Sequence, residues 1–240
     1  MATWSRGVTR HIDCVIRSMA SWRCGCTRDH HDARLVVLTG GPGAGKTAVL
    51  ELIHHHFCEH VVVLPEAAGI VFGGGFPRKS SVVGRQAAQR AIFRVQRELE
   101  RLALEERTAA IILCDRGTLD GAAYWPGDSE SFFRENETSR GAEMARYGAV
   151  IDLRTPLESN GYNHTNALRI ESAPEAAVID ASILNLWKEH PHRHVVESTS
   201  DFLEKAARVV ALVRDEVPEC CRPKRVPGHE LNRSTVGNQT

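Results

Sequence analysis

Eight residues, Gly40, Gly41, Pro42, Gly43, Ala44, Gly45, Lys46 and Thr47, have the spacing G-x-x-x-x-G-K-[ST]. That spacing carries a mechanism. Glycines let the backbone curl until successive N–H groups point inward at a phosphate, and the lysine adds a charge that bridges neighbouring phosphates. The adjacent hydroxyl is placed to complete the shell of a magnesium ion. With glycine usage near 7%, a chance match somewhere in such a chain is expected about one time in a hundred. The stretch also follows an apolar run, "RLVVLT" (34–39), and opens a helical one. In that setting the positive end of the helix faces the phosphates.

A phosphate cradle serves kinases, switches, motors and sensors alike, so other residues must separate them. Two further apolar runs end in acids: "HVVVLPE" (60–66) in Glu66 and "AAIILCD" (109–115) in Asp115. Ligands of a parallel sheet sit at the C-terminal ends of its strands. There Asp115 can hold Mg²⁺ through water, and Glu66 can accept a proton from an attacking hydroxyl. Arg116 either points away from Asp115 on an extended chain or reaches round to clamp an anionic substrate. Arg154 and Arg169 bracket a polar, Asn-rich stretch. An arginine on such a segment can close over the transferring phosphoryl group, and Arg169, late in the stretch, is the better placed. The stretch "AAGIVFGGGFPRKSS" (67–81), with three consecutive glycines, Gly73 to Gly75, predicts a mobile loop over the site or a close backbone approach to a ligand, with Arg78 and Lys79 in reach of phosphate, or, equally, a plain surface loop. Tyr124 and Trp125 offer a platform for stacking a base or ring, or else pack against the neighbouring helix.

Positioning these residues takes alternating strands and helices. Five short runs rich in Val, Ile and Leu, at 34–39, 60–66, 109–115, 149–154 and 194–199, predict strands buried on both faces. Between them, Ala88, Ile92, Val95, Leu99 and Leu102 recur at steps of three and four, predicting a helix over about 86–106. Further helices are expected to start near Lys46, Ser129, Pro174 and Ser200, the last with Ser200 at its cap, Asp201 in its first turn and Glu204 nearby. The pattern is that of βαβ units in one doubly wound α/β domain over 34–216. Residues 1–33 read as a loosely ordered extension and 217–240 as a disordered tail.

Thirty basic residues balance thirty acidic ones, so no global field recruits nucleic acid or an anionic membrane, and no apolar run is long enough to span a bilayer. Seven scattered cysteines point to a reducing, cytoplasmic compartment. Cys58 and Cys114 read as small core residues. Cys24 and Cys26 near His30 and His31 suggest a metal, but lack a second pair at ligand spacing. The run His54, His55, His56 and the nearby His60 read as a solvated helix end.

Five stretches in order, "TGGPGAGKT", "PEAAGIVFGGGFPR", "AQRAIFRVQRELE", "CDRGTLDGAAYWPG" and "GYNHTNALRIES", resemble the NadR-like and translocation-defect-type AAA domain family of P-loop NTPases, related to nucleoside and thymidylate kinases. The resemblance implies a kinase-like three-layer α/β/α sandwich with a five-stranded parallel sheet in the order 2-3-1-4-5. It also implies ATP or GTP as ligand, with Mg²⁺. It maps the base to Glu66, the metal and substrate pair to Asp115 and Arg116, and the lid arginine to Arg169. Gly117 stands where an aromatic residue or serine often follows in the related kinases, which leaves the acceptor unassigned. Two readings stay open: a kinase acting on a small molecule, and a regulator that binds the triphosphate without transferring it.

Overall fold

The computed structural model describes residues 24–155, 173–199 and 201–222. Its centre is a five-stranded parallel sheet of β1 (Arg34–Thr39), β2 (Val61–Leu64), β3 (Ile111–Asp115), β4 (Ala149–Leu153) and β5 (Arg193–Val196) in the order β2-β3-β1-β4-β5. The five expected strands are all present, each trimmed or shifted by a residue or a few at its ends except β1, which keeps its bounds. The trimmed residues include His60, Pro65 and Glu66, which leave the sheet at the two ends of β2.

Side chains alternate across this sheet, which is why both its faces are apolar. Val36, Leu38, Ile111, Leu113, Ile151 and Leu153 face one layer, made by α1 (Lys46–His56) and α7 (Phe202–Glu216) through Val49, Ile53, Val209 and Val213. Leu35, Val37, Ile112, Cys114 and Val150 face the other. That layer contains α3 (Val82–Glu106), α4 (Ser129–Glu135), α5 (Arg140–Met144) and α6 (Ala173–Leu186), with Phe93, Phe132, Phe133, Ile183 and Trp187 at its centre. Cys58 and Cys114 are buried, as their apolar surroundings predict.

Helix α3 begins four residues before the expected start. Ser81 caps it by accepting from the Gly84 amide, which makes the first turn independent of any apolar residue. The cap of α7 is Asp201, whose carboxylate accepts from the Leu203 and Glu204 amides, in place of the expected Ser200, which lies outside the described residues. The expected loop at 67–81 is corrected in part: α2 (Ala67–Gly73) fills its first half and stops where Gly75 takes a φ of 93°. Two short apolar turns, with no polar cap to announce them, suffice because Ala67 and Val71 are buried. Residues 24–33 and 217–222, assigned by composition to the flanks, lie against the domain, with His31, Val217 and Cys221 buried.

Candidate phosphate-binding and transfer site

The turn from β1 into α1 is shaped by glycines at positive φ: Gly40 at 132°, Gly43 at 84° and Gly45 at 93°. At Gly40 no other residue fits, because a Cβ there would collide with the Leu153 carbonyl of the neighbouring strand. Lys46 opens α1 and folds back over the turn, its Nζ donating to the carbonyls of Gly40 (2.9 Å) and Gly41 (3.2 Å). Burial, helped by the nearby Arg116 guanidinium, lowers its pKa to about 8. Thr47, next on the helix, is exposed.

Register sets the acids. Leu38 of β1 pairs with Asp115 of β3, so the carboxylate emerges beside the first residues of the glycine turn. Asp115 is buried, and its Oδ1 has no hydrogen-bond partner among the described residues. Burial raises its pKa to about 6, against the pull of Lys46. Arg116 then takes a φ of 74°, a left-handed step that turns its side chain back across the strand ends. Its Nε donates to Glu66 Oε1 at 2.8 Å and its Nη1 to the Gly40 carbonyl at 3.2 Å. Of the two orientations left open for Arg116, the structure adopts the one that reaches round. Burial pushes the Glu66 carboxyl up, but the charge and hydrogen bond of Arg116, with Lys46 and Arg78 behind, outweigh it and hold the pKa below the usual value.

Lys46, Glu66, Asp115 and Arg116 are therefore brought together with Gly40–Thr47 at one end of the sheet. Arg169 lies outside the described residues. Arg78 rests over the Phe72 ring with its guanidinium carbon 4.0 Å from the centroid. Trp125 is not a stacking platform: it is buried, donates from Nε1 to Ser131 Oγ (2.8 Å) and meets Phe132 edge-on at 5.5 Å. Its packing against α4 wins because a fully desolvated indole with its N–H satisfied is worth more than an exposed ring. Tyr124 is half-buried, with the Arg116 guanidinium 5.5 Å from its ring centroid.

Three residues missed by sequence reasoning brace this site. Asp120, in the 3-10 turn Thr118–Ala123, accepts from Thr39 Oγ1 and from Trp187 Nε1 (2.7 Å) and lies 3.5 Å from Arg116 Nη1. Asp180 of α6 accepts from the Gly41 amide (2.9 Å) and Thr155 Oγ1 (3.1 Å) and pairs with Arg154 (3.1 Å). Arg154 thus holds a brace of the glycine turn. Lys205 of α7 donates to the carbonyls of Ala44 (2.9 Å) and Arg154 (2.6 Å), and burial lowers its pKa to about 8. The contacts that tie these three residues to Thr39, Gly41 and Ala44 join residues 81 to 161 positions apart, so no spacing in the sequence announces them. The one available signal is a charged residue at a core-facing helical position, as at Lys205.

The sequence profile of a family described as an AAA domain matches residues 35–205. The chain belongs to that family. No curated protein matches it in sequence. Among solved structures, a NadR protein in complex with NR superposes with a TM-score of 0.58 at 13% identity, over 78% of this chain and 52% of the other. A NadR protein in complex with NAD and AMP-PNP gives 0.56 and 12%, over 77% and 49%. The thymidylate kinase of Candida albicans gives 0.52 and 13%, over 77% of this chain and 93% of the kinase. The chain thus spans about half the length of the NadR proteins. At these identities the likeness is one of fold: the five-stranded parallel sheet with flanking helices is the fold of these NadR and thymidylate kinase structures. Among the described residues no helix is long and apolar enough to cross a membrane.

Proposed function

We propose that this chain is a kinase that transfers the γ-phosphoryl group of ATP, or of GTP, to a hydroxyl of a small molecule of nucleoside type. The observation that carries the reading is the convergence of Glu66, Asp115 and Arg116 on the glycine turn, because a mere triphosphate binder has no use for a second carboxylate there. In this mechanism the amides of Gly43 to Thr47 and the Lys46 ammonium hold the phosphates. Glu66 accepts the proton of the attacking hydroxyl as the phosphoryl group arrives. Arg116 places Glu66 and offers its remaining N–H groups to an anionic substrate. A lid role for Arg169 completes the charge balance.

The residues present fit a magnesium ion: the buried, unpartnered Oδ1 of Asp115 is an oxygen ligand in waiting, directly or through water, and the exposed Thr47 hydroxyl is a second. Bound there, the ion supplies positive charge to the transferring phosphates. Tyr124, beside the Arg116 guanidinium, and Arg78, whose charge acts on Glu66, are the residues assigned here to the acceptor side.

One observation favours the second reading, a regulator that binds the triphosphate without transferring it. Glu66 is tied to Arg116 and held at a low pKa, which weakens it as a base. The experiment that separates the two is incubation with γ-labelled ATP and GTP and a panel of nucleosides and small alcohols. Label on any acceptor supports the kinase. Label released only to water, or retained on the nucleotide, supports the regulator.

A further inference from the structure

The end of the sheet remote from the glycine turn gathers an unusual set of side chains. Cys24 lies on the segment leading into β1, Cys58 and His60 lie between α1 and β2, and Cys221 lies in the 3-10 turn Glu219–Cys221 after α7. The three sulfurs and one imidazole nitrogen all lie within 4.8 Å of one another. His60 Nδ1 is 3.2 Å from Cys24 Sγ, 3.3 Å from Cys221 Sγ and 3.9 Å from Cys58 Sγ. One ring nitrogen makes one hydrogen bond, as donor or as acceptor. Three sulfurs converging on it exceed that capacity, whereas four ligands around a common centre do not. A tetrahedral zinc ion, with bonds of about 2.3 Å to sulfur and about 2.0–2.1 Å to nitrogen, sets S···N edges of about 3.5 Å. The observed separations bracket that value.

We propose that Cys24, Cys58, Cys221 and His60 form a structural zinc site. Four protein ligands close the coordination shell, which leaves no position for a substrate, and the site sits at the opposite end of the strands from Lys46 and Asp115. Its role is to tie the chain on either side of the domain to the domain itself. Binding releases the three thiol protons, so the site carries three thiolates on one divalent cation. Cys26 and His31 stand just outside. His31 Nε2 lies 3.7 Å from Cys26 Sγ and 3.8 Å from Cys221 Sγ, close enough to donate to a coordinated sulfur. They also belong to an alternative quartet, Cys26, His31, His60 and Cys221, which the test must exclude.

The test is the metal content of the untagged full chain after dialysis, measured by mass spectrometry, with cobalt(II) exchanged into the same protein. The expected result is about one zinc per chain and, with cobalt, intense visible bands and a near-ultraviolet thiolate transition of a tetrahedral sulfur-rich site. Cys58→Ser and Cys24→Ser should each lower retained zinc at least tenfold. Cys114→Ser and the triple change of His54, His55 and His56 to Ala should leave it intact. The cobalt spectrum of the unmutated chain keeps the test open where a serine variant fails to fold. A chain without stoichiometric metal and without that spectrum overturns the proposal. So does zinc that follows the three surface histidines. Loss in Cys26→Ser with retention in Cys58→Ser would overturn this ligand set in favour of the other quartet.

Discussion

Replacing Asp115 by Asn should stabilise the free protein at neutral pH while disabling it for magnesium. Asp115 is buried with one oxygen unpartnered, and its pKa is raised from 3.8 to about 6. An acid whose pKa is higher in the folded state binds its proton more tightly there, so stability falls as pH rises through the interval between the two values. A rise of about two units corresponds to roughly 3 kcal/mol lost by pH 7, since each unit is worth about 1.4 kcal/mol. The figure is already net of the attraction to Lys46, which opposes the shift. Asn has the size of the protonated acid, so the variant and the parent should unfold alike in urea near pH 3.5. The variant should gain over the parent between about pH 4 and 6, and hold a lead of about 1–3 kcal/mol above pH 7. Adding Mg²⁺ with ATP should reverse the order, because ligand binding stabilises only the form that binds. A pH-independent difference, or an Asn variant less stable than the parent at pH 7, would refute the assignment of Asp115 as a strained, uncompensated carboxylate.

Lys46→Ala should remove nucleotide binding in calorimetry, and an unchanged affinity would sink the phosphate-binding assignment. Because the free Lys46 has a pKa of about 8, binding a triphosphate near that pH should draw a proton from solution; titrations in buffers of different ionisation enthalpy detect it. Glu66→Gln is expected to abolish phosphoryl transfer and spare nucleotide affinity, so full activity in this variant would move the base elsewhere. Lys205→Met keeps the length of the side chain but leaves the Ala44 and Arg154 carbonyls without their donor. Nucleotide affinity should fall about tenfold, an order of 1.4 kcal/mol, although Lys205 contacts no phosphate in this reading; equal affinity would remove it from the supporting set.

Much of the site was legible because its chemistry is local. The glycine turn, Lys46 and Thr47 are contiguous, and Asp115 and Glu66 close apolar runs whose composition demands strands. Even the sheet order followed from a resemblance carried by those same stretches. What resisted reading depends on backbone steps or on distant partners. Whether Arg116 turned back to Glu66 rests on one left-handed residue, which a non-glycine side chain does not advertise. Trp125 was placed by Ser131 and Phe132 on a helix not yet packed. Helix α2 carries no capping signal in its seven residues, so its stretch reads as a loop. The Cys and His cluster was missed because its ligands come from three segments. The spacing of Cys24 and Cys26 announced one pair, but Cys58 and Cys221 sit in apolar surroundings that also suit a core.

The glycine turn is encoded near residue 40, but Asp180 and Lys205, which hold its Gly41 amide and its Ala44 carbonyl, arrive some 140 to 160 residues later. Strand β1 likewise waits for β3 and β4, its two neighbours in the sheet. A chain growing from a ribosome therefore exposes its phosphate loop long before it can hold the loop in shape. On the proposed reading, affinity for a triphosphate is then expected only of chains that extend through Lys205 in α7.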